Sequence, residues 1–327
     1  MATISGVAQV PGLPEGVERV PKGRMPPAPL RIRLNTSTLL RRAVPTSFAV
    51  ARAERKARRL WREDASARAH AIETMRAIVT GTPREGELET LAERHLVEAE
   101  VWEALFWQPW RPPSIRGRSR ERLMQASSSG RGLILSGAHL GPFFAVNLGV
   151  VTTGVEPHIV MGNWYYEVPS HDLWGRRSAR WRIGLPSSPV VRPRGSYAIL
   201  ADLLRRGLVT TIYFDLPGPH ETMFLGKPTM LVDGTARLAC ETGALVLPQR
   251  ARRHGAAIDV EYFEALDPGD FAGPDELHET LAGVHEQLVL EDPAALQDPA
   301  KTGWENCARP DRWSRPPRSD REGGASV

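Results

Sequence analysis

Gly132-Leu-Ile-Leu-Ser-Gly-Ala-His139-Leu-Gly-Pro-Phe-Phe-Ala-Val-Asn147 is the stretch on which the reading of the fold turns. Leu133–Leu135 is a short apolar run bounded by glycines, which suits a buried strand. Gly137 and Gly141 bracket His139 and permit a tight turn. Pro142 fits the first turn of a helix, where its missing N–H costs nothing. The stretch therefore reads strand, turn, helix. His139 falls just past the strand end, beside the free N–H groups of a helix N-terminus. In an open α/β sheet, ligands bind at that carboxyl edge, and a histidine there can accept a proton near neutral pH. A turn histidine can equally be held by backbone hydrogen bonds alone, and this stretch does not separate the two readings.

Downstream, strand and helix patterns alternate. His158–Met161 reads as a strand, as does Pro189–Arg192. Ser196 is a good N-cap for a helix through Arg206, with Gly207 closing it. Leu208–Phe214 is the clearest strand and ends at Asp215-Leu-Pro-Gly. Asp233–Thr242 and Asp275–Leu290 read as helices, Ala244–Pro248 and Ile258–Phe263 as strands. This alternation predicts the α/β class: a central, mostly parallel or mixed sheet flanked by helices. If Leu133–Leu135 and Leu208–Phe214 run parallel, His139 and Asp215 emerge at one edge. A carboxylate beside a histidine fixes its tautomer and makes it a better base. The competing reading of Asp215 is turn chemistry. Arg192 and Arg194 also follow a strand; they could bind a phosphate or a developing oxyanion, or simply be exposed.

Upstream, residues 1–45 form a Pro/Gly-rich arm expected to be extended, with little structure of its own. A single domain is expected over 46–303, mainly helical over 46–126 with the sheet core in 131–290. Residues 304–327 are Arg-, Pro-, Ser- and Gly-rich and are expected to be disordered. Ser47–Glu63 reads as a basic helix carrying Phe48, Leu60 and Trp61. Such a helix can lie on an anionic membrane or present a solvated face. Glu85–Phe106 is amphipathic and ends in a cluster of Trp102, Phe106, Trp107 and Trp110.

Composition sets bounds. With 41% hydrophobic and 24% charged residues in 327, the chain is ordinary for a globular protein. It has no apolar run of about 20 residues, so no spanning helix is expected, and no secretory h-region is visible. Cys240 and Cys307 make no disulfide framework, which suits a reducing compartment. The net charge of +4 is carried almost wholly by arginine. The arginines are scattered and no recognition motif accompanies them, so no nucleic-acid partner is expected. Ser136 lies in no Gly-x-Ser-x-Gly elbow. The glycines fit neither a dinucleotide fingerprint nor a P-loop. His278 and His285, two turns apart without a nearby third ligand, are expected at the surface, and no metal site is expected.

The order of these pieces resembles the bacterial lipid A biosynthesis acyltransferase family, which includes the phosphatidylinositol mannoside acyltransferases. The resemblance spans about residues 60–290. It rests on Arg116-Gly117, Gly130-Arg-Gly-Leu-Ile-Leu, His139-Leu-Gly, Arg194, Gly207 and the strand closed by Asp215. Phe224-Leu-Gly226, Ala236-Arg-Leu-Ala239 and Thr242-Gly-Ala-Leu-Val-Leu-Pro248 complete it. It implies a glycerolipid-acyltransferase-like fold and acyl transfer from an acyl-CoA or acyl-carrier-protein thioester. The acceptor would be a hydroxyl of a glycolipid, phospholipid or related lipid, and no cofactor would be bound. It implies a cytoplasmic protein, peripheral on the inner face of the plasma membrane. The family's catalytic histidine maps onto His139, a functional arginine onto Arg194 and an acidic site residue onto Asp215. On that reading, N–H groups near Gly141 and the Arg192 side chain help hold substrate. Phe143, Phe144 and Trp164 line an acyl tunnel or pack in the core. One departure stands out. The family pattern places Asp or Glu five residues after the histidine, where this chain has Phe144. Either Asp215 orients His139 alone, or the chain is a non-catalytic relative that binds lipid or a protein partner.

Overall fold

The structure, a computed structural model, describes residues 8–19, 27–35, 37, 40, 43–106, 112–162, 188–193 and 195–299. In chain order the elements begin with β1 (Ala8–Gln9), β2 (Val17–Arg19) and α1 (Leu30–Asn35). A helical block follows: α2 (Thr46–Glu63), α3 (Ala65–Val79), α4 (Leu88–Phe106) and α5 (Gly117–Ser127). The sheet region runs β3 (Leu133–Gly137), α6 (Ala145–Thr152), β4 (Pro157–Val160), β5 (Val190–Val191), α7 (Ser196–Arg205) and β6 (Val209–Tyr213). It continues with β7 (Pro217–Phe224), β8 (Lys227–Leu231), α8 (Gly234–Thr242), β9 (Leu245–His254), β10 (Ala257–Tyr262) and α9 (Pro274–Glu291).

Among the described residues, eight strands form one sheet in the order β1-β2-β5-β4-β6-β3-β9-β10. The five central strands, β5 to β9, are parallel neighbours; antiparallel strands finish both edges. The parallel ladder explains the apolar runs, because both faces of such a sheet are covered by crossover helices. Leu133 and Leu135 pack on one face with Leu123, Val146 and Val150. Ile134 packs on the other with Leu200, Leu203, Leu281 and Leu288. The expected α/β architecture is the observed one.

Three local features differ from the sequence reading. Part of the Pro/Gly-rich arm belongs to the sheet: β2 pairs with β5, and Val17 is fully buried. The arm's turn is tied by Gln9, whose Nε2 donates to Pro14 O (2.7 Å) and whose Oε1 accepts from Gly16 N (3.1 Å). The strand expected over Ala244–Pro248 runs on to His254. Its arginines are sequestered by carboxylates, Arg250 by Glu261 and Glu291, and Arg253 by Glu98 and Glu54. Ion pairing thus makes a polar-looking run compatible with a buried strand.

The third correction concerns His278 and His285, which are buried rather than on the surface. The α9 helix lays its histidine face against the sheet. His285 Nε2 meets Ser136 Oγ at 2.9 Å and its ring stacks on Phe214, while His278 packs against Phe214 and His220. Burial away from water disfavours the imidazolium and pushes both pKa values down to about 4; His220 adds to the effect on His278, and Asp215 opposes it at His285. Both rings are therefore neutral in the folded protein at pH 7, whereas in the unfolded chain they titrate near 6.5. Between those values the unfolded state binds more protons, so acidification destabilises the fold. Each histidine should cost up to about 1.4 kcal/mol per pH unit over that window, levelling off below pH 4. Urea midpoints at pH 7 and pH 5 should differ accordingly, and a His278→Gln/His285→Gln variant should show a clearly flatter dependence. An unchanged slope would contradict the neutral burial of these rings.

Candidate active site

β3 and β6 lie side by side in register, with Gly137 opposite Tyr213. Phe214 N donates to Gly137 O (2.7 Å), locking the two strand ends. His139 and Asp215, each two residues further on, consequently meet. His139 Nδ1 lies 2.8 Å from Asp215 Oδ1, and the His139 backbone N–H donates to Oδ2, also at 2.8 Å. Asp215 is fully buried, while the His139 side chain keeps 16% exposure. A carboxylate only accepts hydrogen bonds, so the Nδ1 facing it carries the proton and Nε2 carries the lone pair. The imidazole is further fixed by Tyr213, stacked with its centroid at 4.5 Å, and by Phe143, edge-on at 4.6 Å. The arrangement is an oriented base of the kind used in nucleophile activation.

The loop after His139 is held by its backbone. Gly141 adopts φ +61°, and a Cβ there would lie 2.4 Å from Ala251 O. Its N–H donates to Ala295 O (2.8 Å), and His139 O accepts from Gln297 N (2.8 Å). Of the N–H groups near Gly141 expected to help hold substrate, that of Gly141 itself is already used by a neighbouring carbonyl. The Gly141–Phe143 segment instead forms one wall of a cavity of about 330 Å³, which also includes Trp102, Leu105 and Leu296.

Phe144 does not stand in for an acid. It is half-buried against Trp102 (5.5 Å) and Phe106 (5.7 Å), both edge-on, in a cluster with Val50, Ala53, Val101 and Leu105. It anchors the α2–α4 helix pair to the site loop. Phe143, its neighbour, is the ring that touches His139, and it also stacks with Trp102 at 6.0 Å.

Arg192 is not brought to His139. It follows β5, three strands from β3, a lateral distance of about 14 Å. It pairs with Glu18 at 3.6 Å. Arg194 and Trp164 lie outside the described residues.

Two residues near the site escaped the sequence reading. Tyr213 supplies the stacking surface for His139. Gln249 follows Pro248 within β9, and Pro248 pairs with Ser136. It is 1% exposed, and neither carboxamide atom has a hydrogen-bond partner among the described residues. A Cβ on Gly137 would lie 3.6 Å from both Gln249 Nε2 and the Tyr213 ring. In the sequence it shows only as a polar residue directly after an apolar run; its place level with Gly137 follows from the pairing of β9 with β3.

No protein-family model and no curated protein matches this chain. Among solved structures, a similar one is the 1-acyl-sn-glycerophosphate (LPA) acyltransferase PlsC from Thermotoga maritima. The two share 18% identity and a TM-score of 0.37, over 61% of this chain and 80% of that one. A likeness of this size bears on neither substrate nor mechanism.

The packing of Phe144 yields a prediction. Phe144→Asp should lose about 2–3 kcal/mol, by opening a void and placing an unpaired charge among aromatic rings. Phe144→Leu should lose about 1 kcal/mol. Urea denaturation at pH 7 measures both; an aspartate variant as stable as wild type would contradict the packed position.

Proposed function

We propose that this chain is an O-acyltransferase. The donor is an acyl-CoA or acyl-carrier-protein thioester, and the acceptor is a hydroxyl of a glycolipid, phospholipid or related lipid. The observation that carries the reading is the His139–Asp215 pair, with Nδ1 turned to a buried carboxylate and Nε2 left as the basic nitrogen. His139 Nε2 takes the proton of the acceptor hydroxyl as its oxygen attacks the thioester carbonyl carbon. The tetrahedral intermediate then expels the thiolate, which recovers that proton from the imidazolium. Asp215 stabilises the imidazolium throughout. A thioester is already activated, so the step needs no metal. Arg194 is assigned the donor phosphate or the oxyanion, following the family resemblance. Ser136 is a poor alternative nucleophile, because it is fully buried and engaged with His285.

The protein works from the cytoplasmic side, peripheral on the plasma membrane. Among the described residues no helix is long and apolar enough to cross a membrane.

Transfer from a labelled acyl-CoA and a labelled acyl-carrier protein, across a panel of hydroxyl lipids, tests the chemistry. His139→Ala should lower turnover about 10²–10⁴-fold, and Asp215→Asn up to about 10⁴-fold, with folding verified by circular dichroism. Full activity in His139→Ala would overturn the assignment. A folded wild type that transfers nothing to any acceptor would leave the non-catalytic, lipid- or partner-binding reading in its place.

A further inference from the structure

Large apolar side chains are rarely left in water as a group. Here Leu30, Leu34, Leu40, Val44 and Phe48 stand between 37% and 67% exposed, all within one 19-residue stretch. The remaining exposed large apolar residues described, Met124 and Met223, are isolated. Leu30 and Leu34 are one helical turn apart on α1, so they share a face. A six-residue helix is too short to be stable by itself in water. With both leucines exposed, one face of α1 is left apolar and uncovered and calls for a surface that covers it.

The charge of the same stretch identifies that surface. Between Arg19 and Glu54 the sequence holds seven Lys or Arg and no Asp or Glu. Arg31 and Arg33 flank the α1 leucines and are exposed. Exposed Arg52 and Arg55 follow Phe48 on α2. Leucine and phenylalanine among arginines match the boundary between headgroups and acyl chains of an anionic bilayer, where arginine stems can snorkel.

We propose that the exposed side chains of Leu30, Leu34, Leu40, Val44 and Phe48, rather than the α2 helix as a whole, insert into an anionic membrane surface. The apolar side of α2 is already used: Thr46, Val50, Ala53 and Ala57 face the domain. Beyond Phe48 that helix offers the bilayer charge rather than apolar area. The proposal deepens the membrane part of the reading above and is independent of its chemistry. It also links the two parts. α2 packs on α4, whose Trp102 stacks on Phe143, which touches His139. A membrane held at Phe48 is thereby joined to the site through two helices.

The test is flotation of the full-length protein with phosphatidylcholine vesicles, with and without phosphatidylglycerol. Wild type should float with the anionic vesicles, and about 0.5 M salt should release much of it, because exposed charge contacts are screened. Leu30→Ser/Leu34→Ser/Phe48→Ser should bind about tenfold or more weakly, while its melting temperature stays unchanged. Its acyl transfer to a detergent-dispersed acceptor should equal wild type. If no transfer is detected in either protein, flotation still decides the membrane question. Equal flotation of wild type and variant would overturn the proposal. So would a wild type that ignores anionic vesicles, or one that is a dimer dissociated by the triple change, since the patch would then serve a protein partner.

Discussion

Two hydrogen bonds to one buried carboxylate organise this site. Asp215 takes the backbone N–H of His139 on one oxygen and Nδ1 on the other. The first sets where the chain leaves β3; the second sets how the imidazole points. A buried carboxylate is tolerable only when donors replace its lost water, so Asp215 needs His139 for stability as much as His139 needs it for orientation. Parallel register makes the meeting possible: Gly137 opposite Tyr213 places the next-but-one residues level with each other. Slippage of β6 against β3 by one residue would turn Asp215 to the other face.

The same constraint accounts for a chain with phenylalanine where the family it resembles has an acid. An orienting carboxylate need not come from the helix after the histidine if a neighbouring strand end supplies one. Position 144 is then released for packing, and its ring joins Trp102 and Phe106 in fastening the α2–α4 pair to the loop. The loop is fastened on its other side by Gly141 N–H to Ala295 O and Gln297 N–H to His139 O. His139 is thus placed by backbone, carboxylate and stacked aromatics together, as a preorganised base requires.

Much of this was legible in the sequence because it rests on periodicity and strand ends. Leu133–Leu135 and Leu208–Phe214 announce buried strands, and parallel pairing puts His139 and Asp215 at one edge. What was not legible depends on partners remote in sequence. The arginines of β9 look solvated until Glu98, Glu261 and Glu291 are seen beside them. His278 and His285 look like helix-surface residues until α9 lies on the sheet. The Gly141 N–H looks free until residue 295 returns to it. Val17 is one of a few scattered apolar residues (Val10, Leu13, Val20) among prolines and glycines, too weak a pattern to mark an edge strand. Gln249 reads as a polar residue after an apolar run, and its place at the site shows only once β9 is aligned with β3.

The tautomer of His139 tests the central claim most directly, since it needs neither donor nor acceptor. Long-range ¹H–¹⁵N correlation on histidine-labelled protein at neutral pH should show His139 protonated on Nδ1 with a lone pair on Nε2. In Asp215→Asn that single tautomer should give way to a mixture or to the Nε2–H form. A wild-type His139 protonated on Nε2 alone would place its lone pair against Asp215, and the base described here would not exist.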